Sequence, residues 1–134
     1  MEPITLNWPG GEDEFLLRLG ELEALDDLTE QGVLDYRYRL SLGIGRGSLA
    51  YAPAKILETI ACLRLGLIGA GMDRKTAERK VKQAFEDGDI SELCLAAFTI
   101  ISHSLKGKEH DPLATTETAE APTASDGAGS TETE

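Results

Sequence analysis

Basic residues are scarce in this chain: 13 Lys and Arg stand against 24 Asp and Glu in 134 residues, a formal charge of −11. A protein that binds nucleic acid generally needs a dense cationic face to neutralise phosphates, so that class is not expected. Long hydrophobic runs are missing too. Charge or Gly interrupts every apolar stretch well short of the roughly 18 residues a bilayer span requires. The start Met1-Glu2-Pro3 is acidic and no apolar stretch follows it, so no signal peptide is expected. Two cysteines, Cys62 and Cys94, are too few for a disulfide framework, and the expected compartment is a reducing cytoplasm. No internal repeat is apparent, and the length suits one domain.

The charge is uneven. Residues 1–35 carry ten acids against Arg18 alone, residues 36–111 carry twelve bases against nine acids, and residues 112–134 carry five acids and no base. From Gly107 onward the composition is Thr, Ala, Glu, Pro, Ser and Gly, with Leu113 as the one large apolar residue. Such a segment cannot bury enough apolar surface to offset its ordering entropy. The expected organisation is a single folded domain over 1–106 and a disordered acidic tail over 107–134.

Periodicity predicts an α+β, mainly α fold: an N-terminal β-hairpin packed on a small bundle of about four helices. Ile4, Leu6 and Trp8 alternate with polar residues, Pro9-Gly10-Gly11 reads as a turn, and Phe15, Leu17 and Leu19 alternate as a second strand. Beyond Gly20, Leu22, Leu25 and Leu28 mark a short amphipathic helix ending near Gly32, with its acids on the outer faces. Val33 to Leu42 fits helix or strand, and Gly43 to Gly47 reads as a loop. A helix over 53–68 would hold Pro53 in its first turn and an apolar stripe of Ile56, Leu57, Ile60, Leu63, Leu67 and Ile68. Asp73 reads as the N-cap of a helix over 74–87, and a helix over 90–105 is apolar nearly all round, which suits the centre of the bundle or an interface.

No catalytic constellation emerges, and a non-enzyme with no cofactor and no bound metal is expected. Gly66-x-x-Gly69-x-Gly71 follows a helix instead of a strand, so it fits a helix–helix turn and not a dinucleotide fingerprint. Val in place of Gly69 or Gly71 would cost roughly 1–3 kcal/mol if φ is positive there. Asp87-Gly88-Asp89 lacks the alternating ligands of a calcium loop. Cys62 and Cys94 lie on apolar helix faces, His103 and His110 lie near the end of the folded part, and no paired ligand spacing suggests zinc.

The order of three blocks carries further. Asn7-Trp8-Pro9-Gly10-Gly11, then Phe15 to Leu25 with Leu19-Gly20-Glu21-Leu22 within it, then Arg64-Leu65-Gly66-Leu67-Ile68-Gly69-Ala70-Gly71-Met72, together resemble the gene transfer agent family of phage tail proteins. The last block resembles that family's Gly-Leu-Ile-Gly-Gly-Gly-Met signature, with Ala70 replacing one glycine. The resemblance spans about residues 4–106 and is weakest over 33–52. It implies a tail assembly chaperone made in the host cytoplasm, which binds the tape measure protein before the tail tube polymerises and is absent from the finished particle. The tail tube protein and further copies of the chain are secondary partners on this reading. A virion-resident tail tube or tail completion protein is the alternative. The acidic N-terminal third also leaves open a nucleic-acid mimic or an adaptor for a basic protein.

Overall fold

The computed structural model describes residues 2–106. The expected tail over 107–134 and His110 lie outside them. Strand β1 (Ile4–Trp8) pairs antiparallel with β2 (Gly11–Phe15), from Trp8 opposite Gly11 at the turn to Ile4 opposite Phe15. The period of two turns Ile4, Leu6, Trp8, Asp13 and Phe15 toward the helices. Trp8 and Phe15 meet edge to face at 5.3 Å, and the Trp8 indole donates to Asp13 Oδ2 at 2.9 Å. The other oxygen of Asp13 accepts from Lys80 Nζ at 2.9 Å and ties the hairpin to a helix.

The second strand stops at Phe15, four residues earlier than alternation suggests. Leu16 and Leu17 are both buried, which no paired strand on a one-sided sheet allows. Their N–H groups leave the hairpin instead: Leu16 donates to the Gly66 carbonyl at 2.9 Å and Leu17 to Ser104 Oγ at 3.1 Å. Leu19 therefore points to solvent as the first residue of α1 (Leu19–Leu28).

Among the described residues five α-helices follow, joined by short turns: α1, α2 (Val33–Gly45), α3 (Ile56–Gly69), α4 (Arg74–Asp87) and α5 (Ile90–Leu105), with a 3-10 turn at Leu49–Tyr51. The helix beyond the expected four is α2, in the stretch where the pattern was ambiguous. α1 ends at Leu28 and not near Gly32, because the Thr29 hydroxyl bonds the Leu25 carbonyl and Asp26 Oδ1 takes the Val33 N–H to start α2. The glycine-rich stretch 43–47 leaves the helix only at Arg46 and Gly47, the latter with φ +102°, so just its last two residues are the expected loop. Gly43, Ile44 and Gly45 form the last turn of α2, since a Cβ on Gly43 would lie 2.8 Å from the Leu49 Cα and the missing side chain lets the chain pack back closely. Pro53 lies outside α3, which begins at Ile56; its carbonyl accepts from Arg39 Nη1 instead.

The central helix is α3, not α5. It packs against α1, α4, α5 and β2, and nine of its fourteen residues are buried. α5 covers one side and leaves Leu95 51% exposed, so its nearly continuous apolar sequence exceeds what the core uses. α4 and α5 occupy the expected spans, with Asp73 capping α4 through bonds from the Lys75 and Thr76 N–H groups. Cys62 and Cys94 are buried, and burial pushes both thiols up from their ordinary range.

Candidate functional site

The three sequence blocks meet at one junction. Trp8 ends β1 as a buried side chain, and Gly11 opens β2 with φ +120°. Leu19 and Gly20 begin α1, where Glu21 accepts from the Arg18 N–H at 2.9 Å and pairs with the Arg18 guanidinium. That pairing holds the Glu21 carboxyl below its usual range and raises Arg18. Leu22 packs partly buried on the core. Gly66 and Gly69 lie inside α3, beside Phe15 and directly under the Leu16 carbonyl respectively; a Cβ on Gly69 would come within 1.9 Å of that oxygen.

Gly71 ends α3 with φ +110°, conformational ground that residues with a Cβ avoid. The Gly71 N–H donates to Ile68 and the Met72 N–H to Leu67, at 2.9 and 3.0 Å, the paired bonds of a Schellman cap. Met72 then packs partly buried beside the core, while Leu67 is fully buried and Ile68 half-buried. Gly66-Leu67-Ile68-Gly69-Ala70-Gly71-Met72 is thus a helix end on which the hairpin and α1 are seated. The arrangement suits support of a surface better than contact with a ligand.

A second feature was not legible as a site. Glu58 sits in the first turn of α3 with its side chain 2% exposed. Its Oε2 accepts from Arg39 Nη2 at 2.7 Å and from the Glu30 N–H at 2.8 Å; its Oε1 accepts from Arg39 Nη1 at 2.8 Å and the Lys55 N–H at 2.9 Å. Arg39 also donates from Nε to Asp35 Oδ2 at 2.7 Å. One carboxylate therefore gathers the end of α1, the middle of α2 and the start of α3. Next to it the Tyr36 hydroxyl and Thr59 Oγ1 share a 2.7 Å hydrogen bond between α2 and α3. The sequence carries one partial signal, a Glu at the third helical position, which is the reciprocal capping partner of a helix start.

Burial alone would push the Glu58 carboxyl up, but the hydrogen bonds from Arg39, Glu30 and Lys55 outweigh it and hold the group at about 2. An unfolded Glu titrates near 4.3, so the folded value is depressed and its contribution is fully present above that pH. It is lost as the pH falls toward 2, an effect of the order of 3 kcal/mol. Chemical denaturation followed between pH 7 and 2.5 should show this loss, and Glu58→Gln should flatten the acid limb.

Around this hub the surface turns apolar. Leu28, the last residue of α1, Leu34 in the first turn of α2, and Ile56 and Leu57 opening α3 all expose half or more of their surface, with Leu34 at 71% and Leu57 at 74%. Tyr38 is exposed one turn beyond Leu34 on α2. Apolar side chains scattered singly on a surface are ordinary, and Leu19, Ile44 and Tyr51 are exposed elsewhere; several at adjoining helix ends around one hub are the kind of concentration that interaction surfaces show. A shallow groove of roughly 420 Å³ lies elsewhere, between β1 and α5, lined by Leu6, Trp8, Leu95 and Ala96 among others.

Among the described residues no group of three or more His, Cys, Asp or Glu side chains is placed to hold a metal ion, and no helix is long and apolar enough to cross a membrane. His103 Nε2 lies 2.7 Å from the Glu2 carbonyl, joining α5 to the start of the chain. Comparison with curated proteins and with solved structures finds no match. A family model described as "Phage tail tube protein, GTA-gp10" matches residues 3–107, from the hairpin through the end of α5. With its motif blocks converging on one junction and the match covering the whole described fold, the chain belongs to this gene transfer agent family of phage tail proteins.

Proposed function

We propose that the protein is a tail assembly chaperone. It binds the tape measure protein in the host cytoplasm, keeps that long helical client soluble until the tail tube polymerises, and then departs. It does so by binding alone, without catalysis or a cofactor. The observation that carries this reading is the apolar pole formed by Leu28, Leu34, Ile56 and Leu57, held open on a buried ionic hub. A helix with apolar stripes aggregates when bare, and apolar side chains presented by adjoining helices can cover such a stripe. The acidic exterior keeps a complex of many copies soluble and attracts basic segments of a client.

A virion-resident tube subunit is the second reading, favoured by the description of the matching family as a tail tube protein. Co-expression with the tape measure protein, followed by size-exclusion chromatography, separates the two. The chaperone reading expects a stable soluble complex. Leu34→Ser combined with Leu57→Ser should abolish it while shifting the melting temperature by only a few degrees, because both side chains are already in water. Unchanged binding by that variant would remove the apolar pole from the account. Failure of the unaltered protein to bind the tape measure would remove the chaperone reading itself.

A further inference from the structure

Five of the chain's 13 basic residues lie on one helix, α4: Arg74, Lys75, Arg79, Lys80 and Lys82. Two of them are engaged, Lys80 with Asp13 at 2.9 Å and Arg74 more loosely with Glu78 at 3.9 Å. Lys75, Arg79 and Lys82 are exposed and, among the described residues, make no ion pair. Intervals of four and three inside one continuous helix set these three on a single face over about 10.5 Å. Glu78 and Glu86 flank the face, and Glu78 is the one already drawn to Arg74. Beside it, a shallow recess of roughly 500 Å³ runs between the hairpin turn and α4, lined by Pro9, Gly10, Thr76, Arg79, Lys80 and Gln83, with no acid among them. α4 is thus a cationic surface on a chain whose formal charge is −11.

The acids best placed to answer it belong to the same chain. Residues 112–134 carry Glu117, Glu120, Asp126, Glu132 and Glu134 and no base. We infer that this acidic segment covers the basic face of α4 within one molecule. Reach does not limit the contact. The chain leaves α5 at Lys106, and the residues from there to Glu117 span about 36 Å when extended, against a radius of gyration of about 13 Å for a domain of this size. Tethering also decides the partner. A segment joined through a short linker meets the face at an effective concentration of the order of millimolar, whereas a second copy must first overcome the repulsion between two strongly acidic chains. A contact between charges needs no apolar burial, so the Ala, Thr and Glu composition of the segment suits it. Exposed ion pairs are individually weak and screened, so the contact exchanges and depends on salt. The segment thereby keeps α4 from nucleic acid and other polyanions, and a partner with an acidic surface has to displace it. The inference is independent of the chaperone reading, since it uses neither the apolar pole nor the tape measure protein.

Two measurements on the full chain test it. Zero-length crosslinking of an equal mixture of isotope-labelled and unlabelled protein at low salt should join acids of 117–134 to Lys75 and Lys82 in preference to Lys55, an exposed lysine outside α4. Each crosslinked pair should be wholly labelled or wholly unlabelled. The pairs should disappear near about 1 M salt, where the screening length falls to about 3 Å. Backbone amide NMR then compares the unaltered protein with a variant carrying Glu117→Gln, Glu120→Gln, Asp126→Asn, Glu132→Gln and Glu134→Gln. These substitutions leave residues 2–106 untouched, so they do not put the fold at risk. They should shift the amide signals of residues 75–83 and leave those of α2 in place, and salt should move the unaltered protein's signals to the variant's positions. Crosslinks of mixed label would give the face to a second copy. Crosslinks spread evenly over Lys55, Lys75 and Lys82, or identical α4 signals in the two proteins at low salt, would mean that the segment does not dock. Each of these results overturns the inference.

Discussion

Replacing Glu58 with Leu is expected to lower the free energy of unfolding by about 3–5 kcal/mol, a large share of the total for a domain this size. Leu approximates the volume, so the loss is electrostatic and not a cavity effect. The Arg39 guanidinium, 13% exposed, would keep only Asp35 as a carboxylate partner, and the Glu30 and Lys55 N–H groups would lose their acceptors. A buried cation without its counter-charge costs more than the intact pair contributes. Chemical denaturation measures the effect. Combining Glu58→Leu with Arg39→Leu should recover part of it, because the uncompensated charge disappears. A Glu58→Leu protein as stable as the original would show that the ionic hub is not what joins α1, α2 and α3.

Gly69→Ala should be nearly as damaging, by about 3 kcal/mol or more, though it adds one methyl group. The φ angle at Gly69 is not positive, so of the two reasons for glycine in this turn, backbone freedom applies at Gly71 and small size for close packing applies at Gly69. The reason is contact: the added carbon would lie 1.9 Å from the Leu16 carbonyl oxygen, and backbone cannot rotate away as a side chain can. Gly71→Ala meets open space but carries φ +110°, so strain alone should cost about 1–2 kcal/mol. Gly20→Ala, within α1 and with nothing nearby, should be neutral or stabilise by up to about 1 kcal/mol. Thermal melts of the three variants should rank in that order. Equal effects at Gly69 and Gly71 would mean that the hairpin is not seated on α3 as described.

What could be read from the residues follows from where local rules and tertiary packing agree. α4 and α5 were legible because their spacing, the Asp73 cap and the Gly88 break point the same way. α2 was not. Its glycines at 43 and 45 are poor helix formers, and the Gly43 position is explained by close packing against Leu49, which no local rule reports. The strand end failed similarly, because Leu16 and Leu17 are drawn out of alternation by acceptors 50 and 87 residues away in the chain, the Gly66 carbonyl and Ser104 Oγ. The buried ionic hub was invisible for the same cause. Glu58 and Arg39 are charged residues 19 apart in sequence, and composition places such residues on the surface unless a partner is known. The motif glycines, by contrast, were identified in sequence, and their geometry assigns Gly71 to a helix end and Gly69 to a backbone crossing.

The central claim is that this member of a phage tail family escorts assembly and does not remain in the product. Quantitative mass spectrometry of purified particles, with the tape measure and tube proteins as internal references, tests it most directly. The account predicts that peptides from this chain are abundant in the producing cells and fall well below one copy per particle after purification. Many copies per tail, retained in stoichiometric proportion to the tape measure protein, would contradict the chaperone account and establish the protein as a component of the tail.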